Sequence, residues 1–219
     1  MTTDSLRFVI WSCGGTGREV AWLLARRYGA DHALSIVFAD ASDAAVGQIV
    51  NGHPVLSYDD ARRRCDGWVM INAAGNPSER AACATRFSAD NWESRVLADP
   101  SVILAPSSAV GAGTVLFAGT TVSANCRLGA GCHVNYGATI SHDVEIGDFT
   151  SISPGVHIAG RVRIGRRTLI GIGASIRNGT LERPLDIGDD VVVAAGAVVV
   201  SDVPARSVVA GIPARPIGA

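Results

Sequence analysis

From Leu104 onward every sixth residue is aliphatic: Leu104, Val110, Leu116, Val122, Leu128, Val134, Ile140, Ile146, Ile152, Ile158, Ile164, Ile170 and Ile176. An amphipathic helix repeats near every 3.6 residues and a half-buried strand every two, so a period of six calls for a turn after each short strand. Two residues before most of these positions sits a small or β-branched side chain, as at Ser108, Thr114, Thr120, Cys126, Cys132, Ala138, Val144 and Thr150. Gly111, Gly129, Gly147 and Gly165 recur every eighteenth residue, each directly after an aliphatic. Eighteen is three sixes, so the pattern predicts a three-sided coil whose faces are parallel strands of about six residues, with the aliphatics stacked in columns inside. The rhythm breaks between Arg177 and Asp186 and resumes at Ile187, Val193 and Val199, with Gly188 in the glycine slot. About five residues are extra there, which predicts a loop over Asn178 to Pro184 extruded from one corner, a place where function often resides.

Residues before Ala98 follow another rhythm. Leu6 to Trp11 reads as a buried strand, and Ser12, Cys13, Gly14, Gly15, Thr16 and Gly17 lead into a helix with Val20, Leu23, Leu24 and Tyr28 on one face, stopped by Gly29. Strands follow over Leu34 to Ala39, ending at Asp40, and over Trp68 to Ala73, ending at Ala74 and Gly75. Asn76, Pro77 and Glu79 carry a helix-start signal. This βαβ pattern with a glycine-rich first turn predicts a Rossmann-like α/β domain over residues 1–98, followed by the coil over 99–219. Such a turn brings backbone amides to a phosphate, and an acid ending the second strand suits a ribose hydroxyl. Gly14, Gly15, Thr16 and Asp40 are therefore candidate nucleotide contacts, against a purely structural turn followed by a solvated aspartate. The motif lacks the full dinucleotide spacing, and a mononucleotide fits better.

The 219 residues are 47% hydrophobic, yet the longest apolar stretch, Val191 to Val200, is interrupted by Gly196 and far too short to span a bilayer. A net charge of -1 supplies no general field for nucleic acid or an anionic membrane. All nineteen basic residues are arginine, which excludes Schiff-base lysines, P-loops and kinases using a strand lysine. Cys13, Cys65, Cys83, Cys126 and Cys132 form an odd set without a CxxC pair, and no secretory leader is read at the Met1 end. We expect reduced, mostly buried thiols in a cytoplasmic protein.

The G-G-T-G turn, the joint Asp99-Pro100-Ser101, the hexapeptide repeats, the segment Ser141-His142-Asp143-Val144-Glu145-Ile146-Gly147-Asp148 and the ending Val209-Ala210-Gly211-Ile212-Pro213-Ala214 together resemble the bacterial sugar acetyltransferases of the sialic acid O-acetyltransferase type. Within that family the chain most resembles N-acetyltransferases acting on the 4-amino group of nucleotide-linked dideoxysugars, such as GDP-perosamine and UDP-bacillosamine. The resemblance covers almost the whole chain. It implies a left-handed parallel β-helix, a homotrimer, and acetyl-CoA as cosubstrate in the cleft between neighbouring subunits, with no metal.

Acyl transfer to an amine needs a group to take the proton, and histidine titrates nearest working pH. His142 is the candidate base. Asp143, next to it, would support the imidazolium, and in the family this pair faces the cleft. Without the resemblance, the two would read as an exposed turn histidine beside a turn aspartate. Asn135 aligns with a family asparagine near the acyl group, while a left-handed turn asparagine is the alternative. The resemblance places Ser151, Ile172 and Ala195 at the coenzyme, although some relatives have histidine at the position of Ser151. It places Gly14, Gly15, Thr16, Asp40, Ala41 and Gly75 around the nucleotide. Arg161, Arg163, Arg166 and Arg167 read mainly as a solvated face, and Arg80 as a solvated helix residue. The implied mechanism is direct transfer in a ternary complex, with backbone donors at the oxyanion. Other classes remain: sugar O-acetylation of sialic acid or a related hydroxyl; a γ-type carbonic anhydrase, although His133, His142 and His157 lack its closely paired spacing; and a noncatalytic nucleotide-binding protein.

Overall fold

A computed structural model describes residues 6–29 and 34–217. The chain divides into two units, Met1–Arg95 and Val96–Ala219. Among the described residues no helix is long and apolar enough to cross a membrane.

The first unit runs β1 (Arg7–Trp11), α1 (Gly15–Tyr28), β2 (Ser35–Asp40), β3 (Ile49–Val50), β4 (His53–Ser57), α2 (Tyr58–Arg64), β5 (Val69–Asn72) and α3 (Pro77–Ala89). Its sheet has the order β3-β4-β2-β1-β5, with β4, β2, β1 and β5 parallel and β3 antiparallel to β4. Period two splits the side chains between faces. Phe8 stacks on Tyr28, and Phe38 lies against Gly17, so both point toward α1. Val9, Ala39 and Met70 pack instead with Tyr58, Ala61 and Phe87 of α2 and α3. The Tyr58 hydroxyl donates to Asp90 (2.6 Å) and accepts from Trp92 Nε1 (3.1 Å). Burial and the Asp90 carboxylate push that phenol up to about 12. As expected, Asn76 caps α3 by accepting from the N–H groups of Ser78 and Glu79, and Gly29 ends α1 with φ 73. The pattern did not reveal β3, β4 or α2, because Gly52 and Pro54 break their short apolar run. Strand order reverses between β1 and β5, the point at whose carboxyl ends open parallel sheets generally take ligands.

The second unit is three stacked sheets of short strands. One runs from Leu97–Ala98 through Val115–Leu116, His133–Val134, Ser151–Ile152, Leu169–Ile170 and Val192–Val193 to Val208–Ala210, where Arg215–Pro216 adds antiparallel. The second contains Ile103–Leu104, Thr121–Val122, Thr139–Ile140, His157–Ile158, Ser175–Ile176 and Val198–Val199. The third contains Ala109–Val110, Arg127–Leu128, Glu145–Ile146, Val162–Ile164 and Leu185–Ile187. Nearly all strands are two or three residues long, so the six-residue unit is strand plus corner. Ile146 pairs with Ile164 eighteen residues on, whereas Ile164 pairs with Ile187 twenty-three on, which assigns all five extra residues to the segment between Ile176 and Leu185. Leu97–Ala98 pairs with Val115–Leu116, so the coil begins before Asp99.

The aliphatic columns are buried from Leu116 through Val199. The small residues two positions earlier are more than fillers: Thr114 Oγ1 donates to the Gly129 carbonyl (2.8 Å) and accepts from Cys132 N (3.0 Å), while Thr150 Oγ1 bonds Gly165 and Thr168 in the same way. Cys126 and Cys132 occupy the same slot, donating from Sγ to the carbonyls of Ser141 and Gly147. Both are buried free thiols, as is Cys65, while Cys13 and Cys83 are partly exposed. The eighteen-residue glycine period has a steric cause. A Cβ at Gly147 would lie 2.5 Å from Arg166 N and 2.7 Å from the Gly165 carbonyl carbon, both backbone atoms of the next coil. Gly147→Ala is therefore expected to destabilise the protein by about 1–3 kcal/mol, the usual cost of overpacking. A lower urea midpoint in equilibrium unfolding would register this; an unchanged midpoint would refute the steric account.

Candidate active site

His142 sits at the corner between the second and third sheets, just after Thr139–Ile140. Its Nδ1 lies 2.8 Å from Asp143 Oδ2. Asp143 has φ 57, a left-handed conformation that the corner requires and that aspartate tolerates better than most residues. The equivalent corner positions one coil either side, Asn125 and Arg161, share it at φ 59. These three side chains form a ladder: Asn125 Nδ2 donates to Asp143 Oδ1 (3.2 Å), and Arg161 Nε approaches Asp143 Oδ2 at 3.9 Å. Hydrogen bonds from His142 and Asn125 hold the Asp143 carboxyl below the usual carboxylate range. An ionised carboxylate can only accept, so Nδ1 carries the imidazole proton. Nε2 is thereby left as a proton acceptor on a half-exposed ring. Sequence reasoning found the pair but missed Asn125 and the link to Arg161; the eighteen-residue period was the signal that relates them.

The other coil residues fall on different features. Asn135 is not in the left-handed region; Gly137, two residues on, is, with φ 64. Asn135 Nδ2 donates to the Ile152 carbonyl (3.1 Å), leaving Oδ1 as its open polar atom among the described residues. Ser151 is only 4% exposed, on a strand between His133 and Leu169. Ile172 is 61% exposed at the corner between the first and second sheets. Its carbonyl accepts from Gly196 N (2.8 Å), and Ala195 is the equivalent corner residue one coil further. The structure thus stacks Ile172 with Ala195 and sets Ser151 apart on a sheet face. The arginines form ion pairs on the outer surface: Arg163 with Glu145 (4.0 Å), Arg166 with Asp189 (2.9 Å) and Arg167 with Asp190 (2.7 Å). His133 is buried against Phe117, and His157 Nδ1 bonds Thr139 Oγ1 (2.8 Å). The extruded loop encloses a groove of about 470 Å³ with Arg177, Asn178, Arg183, Ser201 and Asp202. Asn178 occupies the same corner as His142, two coils on.

In the first unit, the turn after β1 gathers the remaining candidates. Gly17 is the sterically demanded glycine, because a Cβ there would run into the Ser12 carbonyl oxygen. Gly15 meets nothing, so its surface is open to a close approach from outside the chain. Gly75, after β5, lies against Thr16: its Cβ would be 3.6 Å from Thr16 Oγ1. Asp40 is not merely solvated. Its Oδ2 accepts from Cys13 N (2.8 Å) and its Oδ1 from Ser42 N (3.0 Å), tying the ends of β1 and β2 together and leaving Ala41 exposed between. Burial would raise the Asp40 carboxyl, but these N–H groups outweigh it and hold the carboxyl low. Arg80 overturns the expectation of a solvated helix residue. It is 0% exposed and donates from Nη1 to the carbonyls of Ala74 (2.9 Å) and Gly75 (3.3 Å). Its position one turn into α3 aims it back at the turn that carries Gly75.

No family model and no curated protein matches the chain. Solved structures do. The acetyltransferase domain of PglB from Neisseria gonorrhoeae is 33% identical, with a TM-score of 0.85, covering 96% of this chain and 99% of that one. Another structure of that domain is a complex with acetyl coenzyme A. WeeI from Acinetobacter baumannii is 29% identical, with a TM-score of 0.91 and coverage of 97% and 100%. PerB from Caulobacter crescentus, in complex with CoA and GDP-perosamine, is 29% identical, with a TM-score of 0.84 and coverage of 96% and 97%. Histidine variants of the perosamine N-acetyltransferase of that organism were also solved with CoA and GDP-perosamine.

The low folded-state pKa of Asp40 gives a signed pH dependence. A depressed carboxyl stabilises the fold above its unfolded pKa of about 4 and loses that contribution as pH falls through its folded value. Asp40→Asn is therefore expected to be less stable than wild type at pH 7, with the gap closing below about pH 4. Urea midpoints across pH would check this, and a gap independent of pH would assign Asp40 no role through its charge.

Proposed function

The chain belongs to the bacterial sugar acetyltransferases of the sialic acid O-acetyltransferase type, hexapeptide-repeat enzymes, and we propose that it moves acetyl from acetyl-CoA to the 4-amino group of a nucleotide-linked dideoxyaminosugar. The observation that carries this reading is the His142–Asp143 pair, with Nδ1 committed to the carboxylate and Nε2 unbonded among the described residues. As the sugar nitrogen forms its bond to the thioester carbonyl carbon, Nε2 takes the nitrogen's proton. The imidazolium that results is stabilised by Asp143, itself held by Asn125. The carbon–sulfur bond then breaks, and the proton returns from the imidazolium to the departing thiolate. No acyl-enzyme forms, so what the protein supplies is orientation, a base and oxyanion donors.

In the same reading the coil is left-handed, three chains form a homotrimer, and acetyl-CoA lies between neighbours against Ile172, Ala195 and Ser151. The stacking of the exposed Ile172 with Ala195 favours an extended ligand running along that corner. Asn135 would offer Oδ1 to the amine. The first unit is Rossmann-like and holds the nucleotide at Gly14, Gly15, Thr16, Asp40, Ala41 and Gly75. Its reversal of strand order between β1 and β5, the open surface of Gly15 and the approach of Gly75 to Thr16 support this. Asp40 would serve the sugar nucleotide with lone pairs beyond those its own backbone uses.

Acetyl-CoA consumption against a panel of GDP-, UDP- and dTDP-linked 4-aminosugars, with sialic acid as comparator, tests the assignment. Turnover only with sialic acid would replace N-acetylation by O-acetylation. His142→Ala is expected to lower kcat about 10²-fold or more with coenzyme affinity nearly intact; unchanged turnover would remove the base. For Asp143→Asn, the ring loses the carboxylate that orients it and faces the imidazolium, so kcat is expected to fall while KM for both substrates stays nearly unchanged. An unchanged kcat would make Asp143 purely structural.

A further inference from the structure

We infer that Gly160 is a positioning residue for the reaction, the floor on which the His142 imidazole rests; this builds on the reading of His142 as base. Gly160 occupies the same corner as His142, one coil further along. A Cβ built on it would lie 2.5 Å from Cε1, 2.6 Å from Nε2 and 3.0 Å from Nδ1 of His142, and these are its three nearest neighbours. Ordinary carbon contacts sit at about 3.5–4.0 Å, so the ring lies flat on the bare backbone of residue 160 with no room for a methyl group.

Two comparisons separate this glycine from the others in the coil. At Gly147, Gly165 and Gly171 the nearest atoms to an added Cβ include backbone of the next coil, so those glycines serve the stacking of coils. At Gly160 all three belong to one side chain that can rotate away. Nor does the backbone ask for glycine: Gly160 is absent from the positive-φ glycines, which include Gly137, Gly155 and Gly173. The single requirement that residue 160 be glycine therefore comes from the imidazole. The floor itself is fixed, because Gly179 N donates to the Gly160 carbonyl (3.0 Å) and Arg161 N donates to the His142 carbonyl (3.1 Å). Asp143 holds the ring by its edge and Gly160 by its face, and together they fix where Nε2 points.

The test is Gly160→Ala in the full chain. The methyl group should turn the ring away from Asp143 and move Nε2, a displacement on the scale that costs up to about 10²-fold in rate. We expect kcat to fall at least about tenfold while KM for acetyl-CoA and for the sugar nucleotide stays within about twofold, and the thermal midpoint should hold within a few degrees, since only a side chain must yield. The His142 Nδ1–H resonance in NMR should shift or vanish. In a His142→Ala background the same substitution should change neither residual rate nor thermal midpoint, because the ring it displaces is gone. Wild-type kcat in Gly160→Ala would overturn the inference, as would an equal loss of thermal stability in both backgrounds, which would mark a merely structural glycine. Full activity in His142→Ala alone would instead defeat the base assignment, so the two failures are distinguishable.

Discussion

The backbone ladder that joins each residue to the one eighteen positions later is the constraint from which the second unit follows. Once Ile146 pairs with Ile164, every inward aliphatic falls above another, and every corner falls above another corner. Glycine must then follow the aliphatic on one side of the coil, because the next turn's backbone occupies the space of a Cβ. The slot two residues before each aliphatic takes mostly small or β-branched side chains, and threonine or cysteine there also bonds the coil above. The loop with its five extra residues respects the same rule: it leaves at one corner and returns in register, with Val162 paired to Leu185. Chemistry inherits this geometry. His142 meets Gly160, and Asn125, Asp143 and Arg161 meet one another, because all obey the one repeat.

The first unit solves a different problem with different means. Its strand order reverses between β1 and β5, and the turns there are held from behind. Asp40 spends one lone pair of each oxygen on backbone N–H groups, and Arg80, wholly buried, pins the carbonyls of Ala74 and Gly75. Such groups keep a loop in one conformation while its outer surface stays available. Gly15, where an added Cβ would meet nothing, and Gly17, where one would run into the Ser12 carbonyl, sit two residues apart and illustrate the distinction.

Much of this was legible from residue spacing. The coil, its interruption and the glycine period could be read because each rests on a contact repeated many times, whereas the His142–Asp143 pair was named on the family resemblance, without which it reads as an exposed turn histidine beside a turn aspartate. Less could be read in the first unit, where contacts occur once. The strands β3 and β4 are too short and broken for periodicity, and Arg80 looked solvated because its partners lie behind it, across the turn that precedes α3. The burial of Ser151 was equally hidden, since a serine just before an aliphatic reads the same whether its face is open or covered.

The stack of rungs has a bearing on how the protein breathes. Each strand pair touches only the pair before and after, so the unit behaves as a column in which opening starts at the ends and works inward. Arg215–Pro216 closes the last rung of one sheet by turning back along it. The strand that delivers His142, Thr139–Ile140, has two strands of its sheet on one side and three on the other. Amide hydrogens around it are consequently expected to be among the last of the coil to exchange with solvent. His142 is carried by the part of the column that thermal fraying reaches least, while the ends can loosen without disturbing it.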